Sequence, residues 1–148
     1  MLPPMPVTLR AFHRLDWPPL AWAARIGRDG DVVLFAGDAV ERTTDGLLAA
    51  AWSAPFVGTS PFDATTSIGS ALRLLPDRIE ALCGNAGPDV LFLHRGAEGV
   101  VLANGLPFAL ATEDDEPLPD YPFYNHHLMA YLIGGAPVGT PLPLRRGS

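Results

Sequence analysis

The chain has 148 residues, close to half of them apolar, with a net charge of −6 and no lysine. That is the size of one domain, able to bury about two-thirds of its unfolded surface without metal or disulfide. Scattered arginines in an acidic chain, with only the Arg25/Arg28 and Arg145/Arg146 pairs close together, exclude nucleic acid as an expected partner, because phosphate contacts need clustered positive charge.

We read residues 1–148 as one domain. Residues 1–6 form a loose start, and VTLRAFHRL (7–15) a first strand that DWPPL (16–20) breaks. AWAARIG (21–27) and VVLFAG (32–37) flank Asp29-Gly30, a pair that readily supplies the positive φ of a hairpin turn. After a polar connection over 37–46, LLAAAWSA (47–54) is rich in helix formers and predicts a short helix ended by Pro55 and Gly58. Residues 60–70 read as a loop.

ALRLLPDRIEAL (71–82) has two readings. A helix would place Leu72, Leu75, Ile79 and Leu82 on one face, but Pro76 would remove a backbone donor in its middle. Two short strands turning at Pro76-Asp77 are the preferred reading. A second hairpin joins DVLFLHR (89–95) to VVLANGLPFALA (100–111), with Asn104-Gly105 as a bulge or a point of close backbone approach. Residues 113–122 form a Pro-broken polar loop, 123–135 a second helix and 136–148 an irregular tail. Sixteen prolines and fifteen glycines favour strands and turns over a bundle. The expected class is therefore α+β: mainly antiparallel sheet built from hairpins, with a few short helices.

Chemistry-bearing groups are sparse. Cys83 is the lone cysteine, so no internal disulfide forms, and it reads as a small core residue rather than a nucleophile. The sequence lacks GxxxxGK[ST], GxGxxG, CxxC, HExxH and GxSxG. Glu113, Asp114, Asp115 and Glu116 read as a solvated turn rather than a cation site. His126 and His127 are neighbours, so a helix would point them about 100° apart, without the i, i+4 spacing of paired helical ligands. No metal or other cofactor is expected. The N-terminus has no signal-peptide pattern, and no apolar run approaches the roughly 20 residues that span a bilayer. A soluble cytoplasmic protein with no membrane partner is the expectation.

Three segments carry a resemblance. VVLFAGDAVERTTDGLLAAAW (32–52), DVLFLHRGAEGVVLANGLPFALA (89–111), and YPFYNHHLMAYLIGG (121–135) with PLPLRRG (141–147) resemble the N-terminal domain of asparagine-synthetase-like proteins, the group that includes β-lactam synthetases. The resemblance implies an Ntn-hydrolase-like layered fold, in an amidotransferase-related family whose complete members form amide bonds in biosynthesis after activating a carboxylate with ATP. It also implies a glutaminase that uses an N-terminal cysteine. Here position 2 is Leu2, Cys83 lies far away, and the SGGxDS loop of the synthetase half does not occur. The expectation is a non-catalytic domain or accessory protein that packs on a synthetase domain or on itself, through Phe123, Tyr124, His127, Met129 and Tyr131. Two alternatives stand beside it. One is a small enzyme or ligand-binding protein using His126 or His127 with an acid from 113–116. The other is a carrier that holds an extended peptide at a sheet edge.

Overall fold

The structure, a computed structural model, describes residues 8–53, 59–87, 89–96, 98–113, 115–117 and 144–146. The chain opens with β1 (Leu9–His13), β2 (Trp22–Gly27) and β3 (Val32–Ala36). The short β4 (Glu41–Arg42) leads to β5 (Gly46–Trp52), a 3-10 turn at Pro61–Asp63, β6 (Ser67–Leu74) and β7 (Ile79–Cys83). Then come β8 (Phe92–Arg95), β9 (Gly99–Ala103), α1 (Leu106–Glu113), β10 (Asp115–Pro117) and β11 (Leu144–Arg146). The chain is thus α+β and mostly antiparallel, as its hairpin patterning predicts.

The first sheet has the order β1-β3-β2-β9-β8, and only the β1–β3 pair is parallel. The β2–β3 hairpin turns where Asp29-Gly30 predicts, with Gly30 at φ 88° and the Asp29 side chain accepting from the Asp31 amide. The Pro-rich 16–20 segment carries the chain from β1 past β3 to β2. Its corner is braced by Arg14, which donates two bonds to Asp16 and lies over the Trp17 ring. Those bonds hold the Asp16 carboxyl down at about 2.

The second sheet has the order β4-β5-β6-β7. Strand alternation puts Trp22, Ala24, Val32, Leu34 and Ala36 on the same face of the first sheet, where they pack with Val40 and with Leu47 and Leu72 of the second. The Trp22 indole N–H donates 2.8 Å to the Ser70 hydroxyl across this interface. The other face of the first sheet presents Ala23, Val101 and Ala103 to Ala109 of α1. An aromatic row from Phe12 through Phe35 and Trp17 to Phe108 continues that layer. The described core therefore has three layers: second sheet, first sheet, helix. On the outer face of the second sheet, Phe62 of the 3-10 turn lies under the Arg73 guanidinium. Glu80 accepts from both Arg78 and Arg73, which lowers its pKa.

Several sequence expectations are corrected. The helix expected over 47–54 is overturned where the residues are described: Gly46–Trp52 is a strand that pairs with Ser67–Arg73 along its whole length. The helix preference of an Ala-rich run is worth only tenths of a kcal/mol per residue. A complete ladder with Leu47 buried between sheets outweighs it. The same pairing makes residues 67–70 a strand rather than the end of a loop. Residues 71–82 are the two strands of the preferred reading. The run 100–111 leaves the strand at Asn104 and becomes a helix. Asn104 accepts from the Trp22 amide and donates to the Leu20 carbonyl, anchoring the turn to the start of β2. Pro107, ill suited to a ladder, sits acceptably in the first helical turn. Residues 115–117 and 144–146, expected as loop and tail, form a small antiparallel ladder. The helix expected over 123–135 lies outside the described residues. No helix among the described residues is long and apolar enough to cross a membrane.

Candidate functional site

The two sheets part at the end where β2 begins and β5 finishes. Between them opens a cleft of about 730 Å³, lined by Leu20, Ala49, Ala50, Ala51, Ile68, Gly69, Ser70, Asp89, Val90, Phe92 and Asn104. Its walls are largely apolar because the facing stretches are Ala-rich or β-branched. Leu20 and Ile68 are 55% and 52% exposed there, high values for large apolar side chains.

The polar groups in the cleft are already committed. Ser70 is only 3% exposed and accepts the Trp22 indole N–H. Asp89 accepts the Gly69 amide through Oδ2 at 2.7 Å. Gly69 has φ +93°, and a Cβ there would stand 2.1 Å from the Ala49 carbonyl oxygen. The loop after β7 is stitched to β6 by Asn85, which accepts from the Ser67 amide and donates to the Thr65 carbonyl. Among the described residues no histidine lines the cleft.

Cys83 follows in register beside Ser70 but is exposed, which corrects the expectation of a core cysteine. It ends an edge strand, and its thiol donates to the Asp89 carbonyl. Partial burial and the Asp89 charge both raise its pKa. The thiolate is the reactive form. Cys83 is therefore expected to alkylate more slowly than a free small-molecule thiol near neutral pH, with the rate rising as pH climbs. Timed iodoacetamide labelling followed by mass spectrometry measures this; a rate above that of glutathione would contradict it.

The other sequence-singled residues separate as follows. His13 is exposed at the end of β1, and His94 is half-buried on β8. Glu113 closes α1, while Asp115 and Glu116 stand opposite Arg146 and Arg145 in the β10–β11 register. Asp114, Phe123, Tyr124, His126, His127, Met129 and Tyr131 lie outside the described residues. Among the described residues no group of three His, Cys, Asp or Glu side chains is placed to hold a metal ion. Sequence reasoning missed Leu20, Ile68, Ser70 and Asp89. The available signal was the alternation Ser67-Ile68-Gly69-Ser70-Ala71-Leu72, which Gly69 disguises as loop.

Comparison with family models, with curated proteins and with solved structures finds no match for this chain.

Proposed function

We propose that this chain is a non-catalytic binding domain that packs on a protein partner, in the manner of an accessory domain of an asparagine-synthetase-like amide-forming enzyme acting in the cytoplasm. The observation that carries the reading is the open end of the sandwich. Exposed Leu20 and Ile68 border an apolar cleft whose buried hydroxyl, Ser70, is tied up by Trp22. Large apolar side chains held at the rim of a concave surface mark a place for another surface. The layering of two face-packed sheets with a helix outside the first is in keeping with an Ntn-hydrolase-like arrangement. On the outer side of the second sheet the described residues offer a 3-10 turn rather than a helix.

The test is native mass spectrometry of the chain taken from its own host, with Leu20→Asp and Ile68→Asp beside the unaltered protein. The unaltered protein is expected to carry a polypeptide partner or a second copy, and either substitution to release it. Both side chains are more than half exposed, so the folded state should tolerate the charge. A lone unaltered chain, or a partner retained by both variants, would refute the reading.

An extended peptide pairing with strand β8 is the second reading. Among the described residues this strand stands at the edge of the first sheet, with Leu93 56% exposed, and that supports the reading. A peptide added there would gain main-chain bonds and an apolar contact.

A further inference from the structure

A second hollow lies at the opposite end of β2, on the helix-side face of the first sheet, and it has a different chemistry. Its volume is about 420 Å³, and its lining is Arg10, Arg25, Gly27, Arg28, Asp29, Asp31, Val33 and Glu98. The register explains why the arginines meet. Arg10 on β1 stands opposite Val33 on β3, and Val33 stands opposite Arg25 on β2. Two strand spacings, about 10 Å, separate the two arginine backbones. Their side chains rise from the same face on either side of Val33, and Arg28 follows at the start of the turn.

Three acids, Asp29, Asp31 and Glu98, line the hollow with the three arginines, so its formal charge is balanced and what the geometry leaves open is the pairing. Arg10 reaches Asp31 only at 3.9 Å, with both groups well exposed. Such a pair contributes little. Asp29 is engaged by the Asp31 amide in the turn. Arg28 meets Glu98 through its backbone amide and the Glu98 carbonyl. Among the described residues neither Arg25 nor Arg28 has an ion pair. Arg25 is moreover half-buried on a central strand. A guanidinium held over a sheet with no carboxylate of the described residues within ion-pair distance keeps its fork of donors open to a ligand. A planar fork of donors is well suited to an oxyanion.

We propose that this hollow binds a small molecule bearing an oxyanion head, phosphate or carboxylate, clamped between Arg25 and Arg10 above Val33 with Arg28 closing from the turn. The hollow is large enough for a small metabolite and too small for a folded partner. The inference is independent of the partner-binding reading, which concerns the other end of the strands.

Isothermal titration of the full chain with inorganic phosphate, and separately with succinate, tests it, with sodium chloride at matched ionic strength as the control. One of the two anions is expected to bind with millimolar or tighter affinity. Tighter phosphate points to a phosphorylated ligand, tighter succinate to a carboxylate. Arg25→Gln should weaken binding roughly tenfold to a hundredfold, the range of a charge-assisted hydrogen bond. Arg25→Lys should weaken it less. Asp31→Asn should strengthen it, because it removes a like charge and releases Arg10. The proposal is overturned if neither anion binds beyond the chloride control. It is equally overturned if Arg25→Gln, shown folded by circular dichroism, binds as well as the original, or if Asp31→Asn weakens binding.

Discussion

Trp22→Ala is expected to bring the domain close to unfolding. Trp22 is completely buried on the face of β2 that meets the second sheet, within the cluster that includes Leu34, Leu47 and Leu72. Truncating a core tryptophan typically costs about 3–5 kcal/mol, because the surroundings collapse only partly into the void. Whole domains are stable by only about 5–15 kcal/mol. A second loss comes on top: the indole N–H is the donor to Ser70, so its removal strands a buried hydroxyl. Trp22→Phe separates the two effects by retaining much of the ring. Ser70→Ala makes the complementary cut and leaves the indole N–H without its acceptor, at about 1–3 kcal/mol. Trp22→Phe and Ser70→Ala combined should cost less than the sum of the singles, since each alone orphans a partner that the double variant removes. Urea unfolding followed by circular dichroism gives all four values. A Trp22→Ala penalty below about 1 kcal/mol would mean that the indole does not join the sheets.

Gly69→Ala should be the most damaging single-methyl change near the cleft. A left-handed backbone costs a side-chain-bearing residue about 1–3 kcal/mol. The added Cβ would also lie 2.1 Å from the Ala49 carbonyl oxygen, so β6 must draw away from β5. That movement pulls on the Gly69 amide, which holds Asp89, and through it on the loop that floors the cleft. Both stability and partner capture should therefore fall. Asp89→Asn is the comparator. It keeps an acceptor for the amide, removes the charge and leaves the ladder untouched, so it should destabilise less than Gly69→Ala. Denaturation midpoints of the two variants decide the matter. A Gly69→Ala protein as stable as the original would show that residue 69 does not need the left-handed conformation.

The candidate cleft was poorly legible in the sequence, and the reason is physical. Its lining comes from residues 20, 49–51, 68–70, 89, 90, 92 and 104, which no local pattern joins. Ser70 looks like a loop serine until β6 is paired on both sides, and Asp89 looks like a turn residue until its carboxylate meets Gly69. The arginine hollow was half visible. Arg25 and Arg28 were a noticeable pair, but Arg10 joins them only because β1 pairs with β3 in a parallel register.

Local chemistry was sufficient for features closed within a few residues. Asp29-Gly30 makes the β2–β3 turn because glycine accepts a positive φ, and Pro76 divides β6 from β7 because proline cannot serve mid-helix. The α+β class and the predominance of hairpins followed from the spacing of such breakers. Tertiary structure decided the rest. It made Gly46–Trp52 a strand against its own helix preference, because a long ladder and the burial of Leu47 outweigh tenths of a kcal/mol per residue. It turned Leu106–Glu113 into a helix because Asn104 is captured by the start of β2, more than eighty residues earlier. Propensity is a sum of small local terms. Pairing, burial and the meeting of distant side chains are set only when the two sheets close on Trp22.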